Sequence, residues 1–294
     1  MKPTLLLLLA LLATAQAATT INPVNKYAYG ANLGWLDCSG DTNNGAVIGE
    51  FVCSGYIYSA NAGWISLGGG TPVNGFRYLN NSATDFGVNH DGLGNLNGYA
   101  WAANIGWLTF TNRDATGATF EGPKVDLLTG KLSGNIWSAN CGWISLSNAS
   151  AFVQTDRLPA GADTDSDGIP DAWEMMKFGN LTTANLISDF DLDGVSDRNE
   201  YLAGTDPLDL NSFLRITALT SSGGGATNQL VWTSVSTRQY RLLQTNNVAA
   251  ANPWVEIAPG LITPDAGPTT VRTVVGSAAS QRFFRVEAIK PIAP

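Results

Sequence analysis

One pattern, apolar strand-forming residues around a short polar turn, recurs in four related stretches of the first half of the chain: 27–36 (YAYGANLGWL), 56–65 (YIYSANAGWI), 99–108 (YAWAANIGWL) and 135–144 (NIWSANCGWI). Each places strand-forming residues on both sides of an Ala-Asn-x-Gly core, and Asn and Gly are the residues that tolerate positive φ. Each copy therefore reads as a β-hairpin with a tight turn. The copies recur at irregular intervals of about thirty to forty residues, in places preceded by a further strand, as in 124–134. An isolated hairpin is only marginally stable, so the copies must share a core. The expectation is one all-β repeat domain over 18–150, with Trp35, Trp64, Trp107 and Trp143 inside that core. The competing reading makes these tryptophans a sugar-stacking face; their recurrence beside a turn, always followed by Ile or Leu, favours packing.

The pattern stops over 151–162, where Pro159 and Gly161 mark a linker. Alternation follows in six stretches, 213–220, 229–236, 239–245, 254–258, 270–275 and 282–288, separated by turn-rich segments. They predict a small immunoglobulin- or fibronectin-like β-sandwich over 211–290. The fold class expected is thus mainly β: an N-terminal repeat domain, a short loop-helix segment over 163–210 and a C-terminal sandwich. Before all of these, Lys2, an apolar run from Leu5 to Ala13 and the small-residue site Ala15 to Ala17 read as a signal peptide over 1–17, cut after Ala17. Its apolar core is too short to span a bilayer and no later stretch is long enough, so the chain is expected to be secreted or at the cell surface, with no transmembrane span.

Charge sharpens this picture. The chain carries a net charge of −8. Twelve acidic residues against Lys177 and Arg198 put −10 between residues 160 and 210, which leaves the remainder at +2. No basic face for nucleic acid is present. Three cysteines in an exported chain leave at least one unpaired. Cys38 and Cys53 are close enough in sequence to close a loop, while Cys141 occupies a repeat position held elsewhere by Leu33, Ala62 and Ile105 and reads as a small buried residue. His90, the one histidine, reads as a turn residue rather than a general base. No nucleophile elbow, histidine metal signature or phosphate loop occurs. Carboxylate pairs such as Asp85 with Asp91 or Glu121 with Asp126 are too common in acidic proteins to argue for glycoside cleavage. The expectation is a protein that is not an enzyme.

The acidic segment holds two twelve-residue loops, 163–174 (DTDSDGIPDAWE) and 189–200 (DFDLDGVSDRNE), which match D-x-D-x-D-G-x5-E at every specified position. A hard cation such as Ca²⁺ takes about six to eight oxygens, and this spacing delivers them from alternate residues of a sharply turning loop. The first ligand set is Asp163, Asp165, Asp167, the carbonyl of Ile169, Asp171 and Glu174. The second is Asp189, Asp191, Asp193, the carbonyl of Val195, Asp197 and Glu200. Two Ca²⁺ sites are expected. Pro159 and Gly161 leave no incoming helix, whereas outgoing helices are expected over 172–178 and from Ser196 as N-cap to about Ala203. Pro170 stands where paired EF-hands exchange backbone hydrogen bonds, and proline has no N–H to give.

This run, with its ending Glu200 to Pro207 (EYLAGTDP), resembles the bacterial form of thrombospondin type 3 calcium-binding repeats, as found in secreted proteins of Verrucomicrobia and Planctomycetes. The resemblance covers about fifty residues and implies calcium loops that serve as spacers and stabilisers. The expected function is a secreted or cell-surface calcium-binding structural or adhesion protein in which Ca²⁺ orders a joint between two β domains. The alternatives are a carbohydrate-binding accessory protein using the tryptophan repeats, with extracellular polysaccharide or cell-surface components as partners, and a glycan-degrading enzyme.

Overall fold

The computed structural model describes residues 19–40, 43–113, 119–251, 253–257, 260–276 and 281–292. The expected signal peptide lies outside them. The chain is mainly β. In the N-terminal half the strands are β1 (Ile21–Gly30), β2 (Gly34–Asp37), β3 (Ser54–Ser59), β4 (Gly63–Gly69), β5 (Val88–His90), β6 (Leu96–Ala102), β7 (Gly106–Thr109), β8 (Lys124–Val125), β9 (Leu132–Ser133), β10 (Asn135–Ser138), β11 (Gly142–Ser145) and β12 (Val153–Thr155). All four predicted hairpins form, as β1–β2, β3–β4, β6–β7 and β10–β11. Each turns through three residues into a glycine with φ of 74–77°, at Gly34, Gly63, Gly106 and Gly142, where a side chain would strain the backbone.

The hairpins run side by side in the order β1-β2-β3-β4-β6-β7-β10-β11, and β11 pairs back onto β1 through Tyr29 with Ser145 and Gly30 with Ile144. The sheet is therefore a closed antiparallel barrel and presents no open edge along this ring. Inside, each hairpin contributes one facing pair: Ala28 with Leu36, Ile57 with Ile65, Ala100 with Leu108, Ile136 with Ile144. All eight are buried. Small-plus-large pairs alternate with Ile–Ile pairs around the ring, which fills a narrow interior evenly.

Strand alternation then sends the aromatic residues outward. Tyr29 faces Trp35, Tyr58 faces Trp64, Trp101 faces Trp107 and Trp137 faces Trp143 on the outer surface. This corrects the expectation of a tryptophan core: Trp35, Trp64, Trp107 and Trp143 are 44–50% exposed. Both faces of each hairpin are apolar, and the interior of a small barrel fits Ala, Leu and Ile better than indole rings.

The hairpin tips interlock. Asn61 Nδ2 donates to Leu33 O (3.0 Å), Asn104 Nδ2 to Ala62 O (3.1 Å), Asn140 Nδ2 to Ile105 O (2.9 Å) and Asn32 Nδ2 to Cys141 O (3.1 Å). Each repeat thus grips the one before it, and the first grips the last. Cys141 is buried at this end, as expected from its repeat position. Cys38 and Cys53 are buried free thiols rather than a disulfide, and burial pushes each up to about 12. The segment expected to be a linker contributes β12, which pairs with β1 through Ile21–Thr155 and Lys26–Val153.

Two helices follow, α1 (Asp171–Lys177) and α2 (Asp197–Ala203). Beyond them β13 (Ile216–Ser222), β14 (Thr227–Thr233), β15 (Gln239–Thr245), β16 (Val255–Glu256), β17 (Thr269–Val275) and β18 (Phe283–Ile289) form two three-stranded sheets, β13-β14-β17 and β16-β15-β18. Leu230, Trp232, Tyr240, Leu242 and Val274 make their core. Among the described residues, no helix is long and apolar enough to cross a membrane.

Candidate metal centre

The two acidic loops fold alike, residue for residue. At the fourth position Ser166 and Leu192 have φ of 62° and 64°, and at the sixth Gly168 and Gly194 have 85° and 92°. The first aspartate caps each turn: Asp163 accepts from the N–H groups of Asp167 and Gly168, and Asp189 from those of Asp193 and Gly194. The ninth residue reaches back to the second, Asp171 to Thr164 N and Asp197 to Phe190 N. Its own N–H donates to the residue just before the loop, Ala162 in one copy and Ser188 in the other. Each loop then runs directly into its helix. Pro170 takes the N-cap position of α1, and Ser196 caps α2 by accepting from Asn199 N. No helix enters either loop, in keeping with the sequence.

This backbone gathers oxygens. One ligand atom each from Asp163, Asp165 and Asp167 lies within 4.8 Å of the others, and so do those of Asp189, Asp191 and Asp193. Asp171, Glu174, Asp197 and Glu200 are not part of these close groups. Glu174 and Glu200 come from the first turns of α1 and α2 and are fully buried. Both oxygens of Glu174, Oε2 of Glu200, and one oxygen each of Asp167, Asp191, Asp193 and Asp197 are buried without a hydrogen-bond partner. A buried carboxylate oxygen with no donor is costly, and a cation held among them would remove that cost. The donor set, all oxygen and mostly carboxylate, fits a hard divalent ion such as Ca²⁺.

Electrostatics follow the same geometry. Burial, followed by the repulsion of Asp167, Asp165, Asp171 and Asp163, pushes Glu174 up to about 7. Burial and then Asp191, Asp193 and Asp197 push Glu200 up to about 8, against a hydrogen bond from Thr205. Asp167 and Asp191 are raised, chiefly by burial. The carbonyl-bearing residues differ in their side chains: Ile169 is fully buried and Val195 half-buried.

Ile169 packs with Phe51, Ala172, Trp173, Ala184 and Tyr201, joined by Val52 and Phe76, so the acidic segment sits on the barrel domain. Beside it is a polar junction that sequence reasoning missed, because its members are remote in the chain. Glu50, from the barrel domain, accepts from Tyr201 Oη of α2 (2.7 Å) and from Lys290 Nζ, just after β18 (2.6 Å). Arg238, just before β15, donates to the carbonyls of Leu202 (2.7 Å) and Tyr201 (3.0 Å). Three parts of the chain thus meet one residue past Glu200, where the second acidic loop ends. The only legible signal was Tyr201 itself, a tyrosine directly after Glu200.

The remaining candidates have structural partners. His90 is buried at the end of β5; Nδ1 faces Gly49 O (3.0 Å) and Nε2 accepts from Gly94 N (3.1 Å), and burial lowers its pKa. Asp85 accepts from Val73 N and Leu79 N, Asp91 from Leu93 N and Asn95 N, and Asp126 from Leu128 N. Glu121 lies 3.8 Å from Lys124. No family model, curated protein or solved structure matches the chain.

Proposed function

We propose that this is a secreted or cell-surface structural or adhesion protein, without catalytic activity of its own, whose two loops bind Ca²⁺ and thereby order the joint between its β domains. The observation that carries this reading is Glu174, fully buried with both carboxylate oxygens unpartnered beside the aspartates of its own loop. Without metal, three aspartates of each loop hold ligand atoms within 4.8 Å of one another, with a buried glutamate in the same loop; with it, repulsion is relieved and the loop backbone is fixed. Because Tyr201 follows Glu200 and bonds Glu50, ordering the second loop also orders the place where barrel and sandwich meet. A ligand that binds only the folded form stabilises it by about 2.7 kcal/mol at one hundred times its dissociation constant. Calorimetric titration of the full chain with CaCl₂ should report two sites; absence of heat at millimolar metal would sink the reading.

A second reading, a carbohydrate-binding accessory role, is favoured by one observation: the four repeated tryptophans lie outside the barrel rather than in its core.

A further inference from the structure

We propose that the third hairpin carries a binding site for a neutral oligosaccharide, formed by Trp107, Tyr99 and Phe86 on one side and Asn80, Asn81 and Ser82 on the other. The inference rests on the carbohydrate-binding reading above and gives it a place. These six residues line a cavity of about 440 Å³, within the roughly 300–1,000 Å³ usual for small-ligand sites.

The four hairpins share an outer aromatic pair, and over the third a loop adds Asn80, Asn81 and Ser82 as a polar wall. Phe86 packs edge-on against Trp107 (5.1 Å between ring centres, 84°), and so does Tyr99 (6.1 Å, 71°). Trp101 meets it as well (4.7 Å, 60°), so the indole is held by three rings and is still 45% exposed. Phe86 ends a loop that brings Asn80, Asn81 and Ser82 over the same hairpin. That loop is pre-shaped. The buried Asp85 carboxylate accepts from Val73 N (3.3 Å) and Leu79 N (3.1 Å), and Asn80 N donates to Asp85 O (3.0 Å). Asn80 has φ of 57°, the left-handed turn conformation that asparagine tolerates. Its side chain is committed, Oδ1 accepting from Gly87 N (3.0 Å). The neighbouring Asn81 amide is exposed and makes no hydrogen bond among the described residues.

The lining selects the ligand class. None of the six side chains is charged at neutral pH, so neither an anion nor a cation is matched. An aromatic wall opposite amide and hydroxyl groups suits a molecule with an apolar C–H face and an edge of groups that both donate and accept. A pyranose is such a molecule. A proline-rich segment also seeks aromatic grooves, but it presents apolar rings and carbonyl acceptors and would leave half of the Asn81 amide unmatched.

The test is calorimetric titration of the full chain, in calcium, with cellohexaose, laminarihexaose, mannohexaose, xylohexaose and chitohexaose, alongside a polyproline peptide. At least one sugar should bind, and Trp107→Ala should weaken it at least about tenfold, as expected for a stacking anchor. Asn81→Ala, at an exposed side chain without intrachain partners, should weaken it about threefold or more while leaving the fold intact, and Trp35→Ala less than about twofold. Sugar binding that survives Trp107→Ala and Asn81→Ala but is lost in Trp35→Ala or Trp64→Ala overturns this site and leaves the carbohydrate reading standing. No binding by any of the sugars overturns both, and binding of the polyproline peptide alone overturns the ligand class.

Discussion

The side-chain amide of Asn32 donates to the carbonyl of Cys141 at 3.1 Å, joining residues 109 positions apart. Beside the backbone pairing of β11 with β1, it joins the last hairpin to the first and helps close the row into a ring. The same contact recurs at Asn61, Asn104 and Asn140, so alanine at any of the four should cost a similar amount, about 0.5–1.5 kcal/mol per bond. Urea denaturation of the four variants checks this; an Asn32→Ala protein as stable as the parent, with the others weakened, would mean that the side-chain bond adds nothing to the β1–β11 seam.

The buried glutamates make stability depend on pH in opposite senses with and without metal. Glu174 rises from its ordinary 4.5 to about 7 and Glu200 to about 8, so folding favours their protonated forms. That contribution is fully present below about 4.5 and is lost as pH rises through 7 to 8. Calcium-free protein should therefore melt higher at pH 5 than at pH 8 on account of these groups. Ca²⁺ must displace their protons, so the gain in Tm between EGTA and millimolar CaCl₂ should be larger at pH 8. A gain that is equal or larger at pH 5 contradicts the assignment.

Removing the charge of one buried glutamate should separate the calcium-free from the calcium-bound protein. Glu174→Gln and Glu200→Gln should raise Tm in chelator and abolish most of the calcium-induced gain. Asp163→Ala and Asp189→Ala should instead weaken both states, since each aspartate also caps its own loop through two backbone N–H groups. Limited proteolysis between Ser150 and Ser212, with and without CaCl₂, provides the readout.

The glycines at the sixth loop position differ although their backbones match. A Cβ on Gly168 would lie 2.6 Å from Arg198 Nε, whereas one on Gly194 would meet nothing within 4 Å. An alanine at either position carries the cost of positive φ, about 1–2 kcal/mol. Gly168→Ala should thus destabilise more than Gly194→Ala, and Arg198→Ala should remove the difference. Thermal melts of the single and double variants decide it.

At the junction, Lys290→Met leaves the Glu50 carboxylate, which is almost fully buried, without its cation and with Tyr201 Oη as donor. Breaking one partner of a buried pair costs about 3–5 kcal/mol, and the double replacement Glu50→Leu with Lys290→Met should cost less than the single one. Equal losses in single and double variants would show that the pair is not coupled.

Much of this architecture was written locally. The hairpins follow from Ala-Asn-x-Gly and its flanking strands, the loops from aspartate spacing, and the sandwich strands from alternation between turns. The face of the repeats was not legible, because Tyr27-Ala-Tyr29 and Trp35-Leu36 are apolar on both sides of the strand. Which side turns inward depends on the radius of the closed barrel, a property of all four copies together. The same holds for the Glu50, Tyr201 and Lys290 cluster, whose members meet only after three separate parts have packed. Cys38 and Cys53 suggested a cross-link by proximity in sequence, whereas each is taken up separately by the apolar core.

The ring of asparagines also sets a counting rule. A linear array can accrete or shed units at either end by slippage of its coding sequence, and every intermediate length remains foldable. Here the first copy is already spoken for by the last, through Asn32 and Cys141. An inserted or deleted hairpin would change the girth of the cylinder and the fit of its alternating Ala–Leu and Ile–Ile pairs, so the number four is held as a whole rather than one copy at a time.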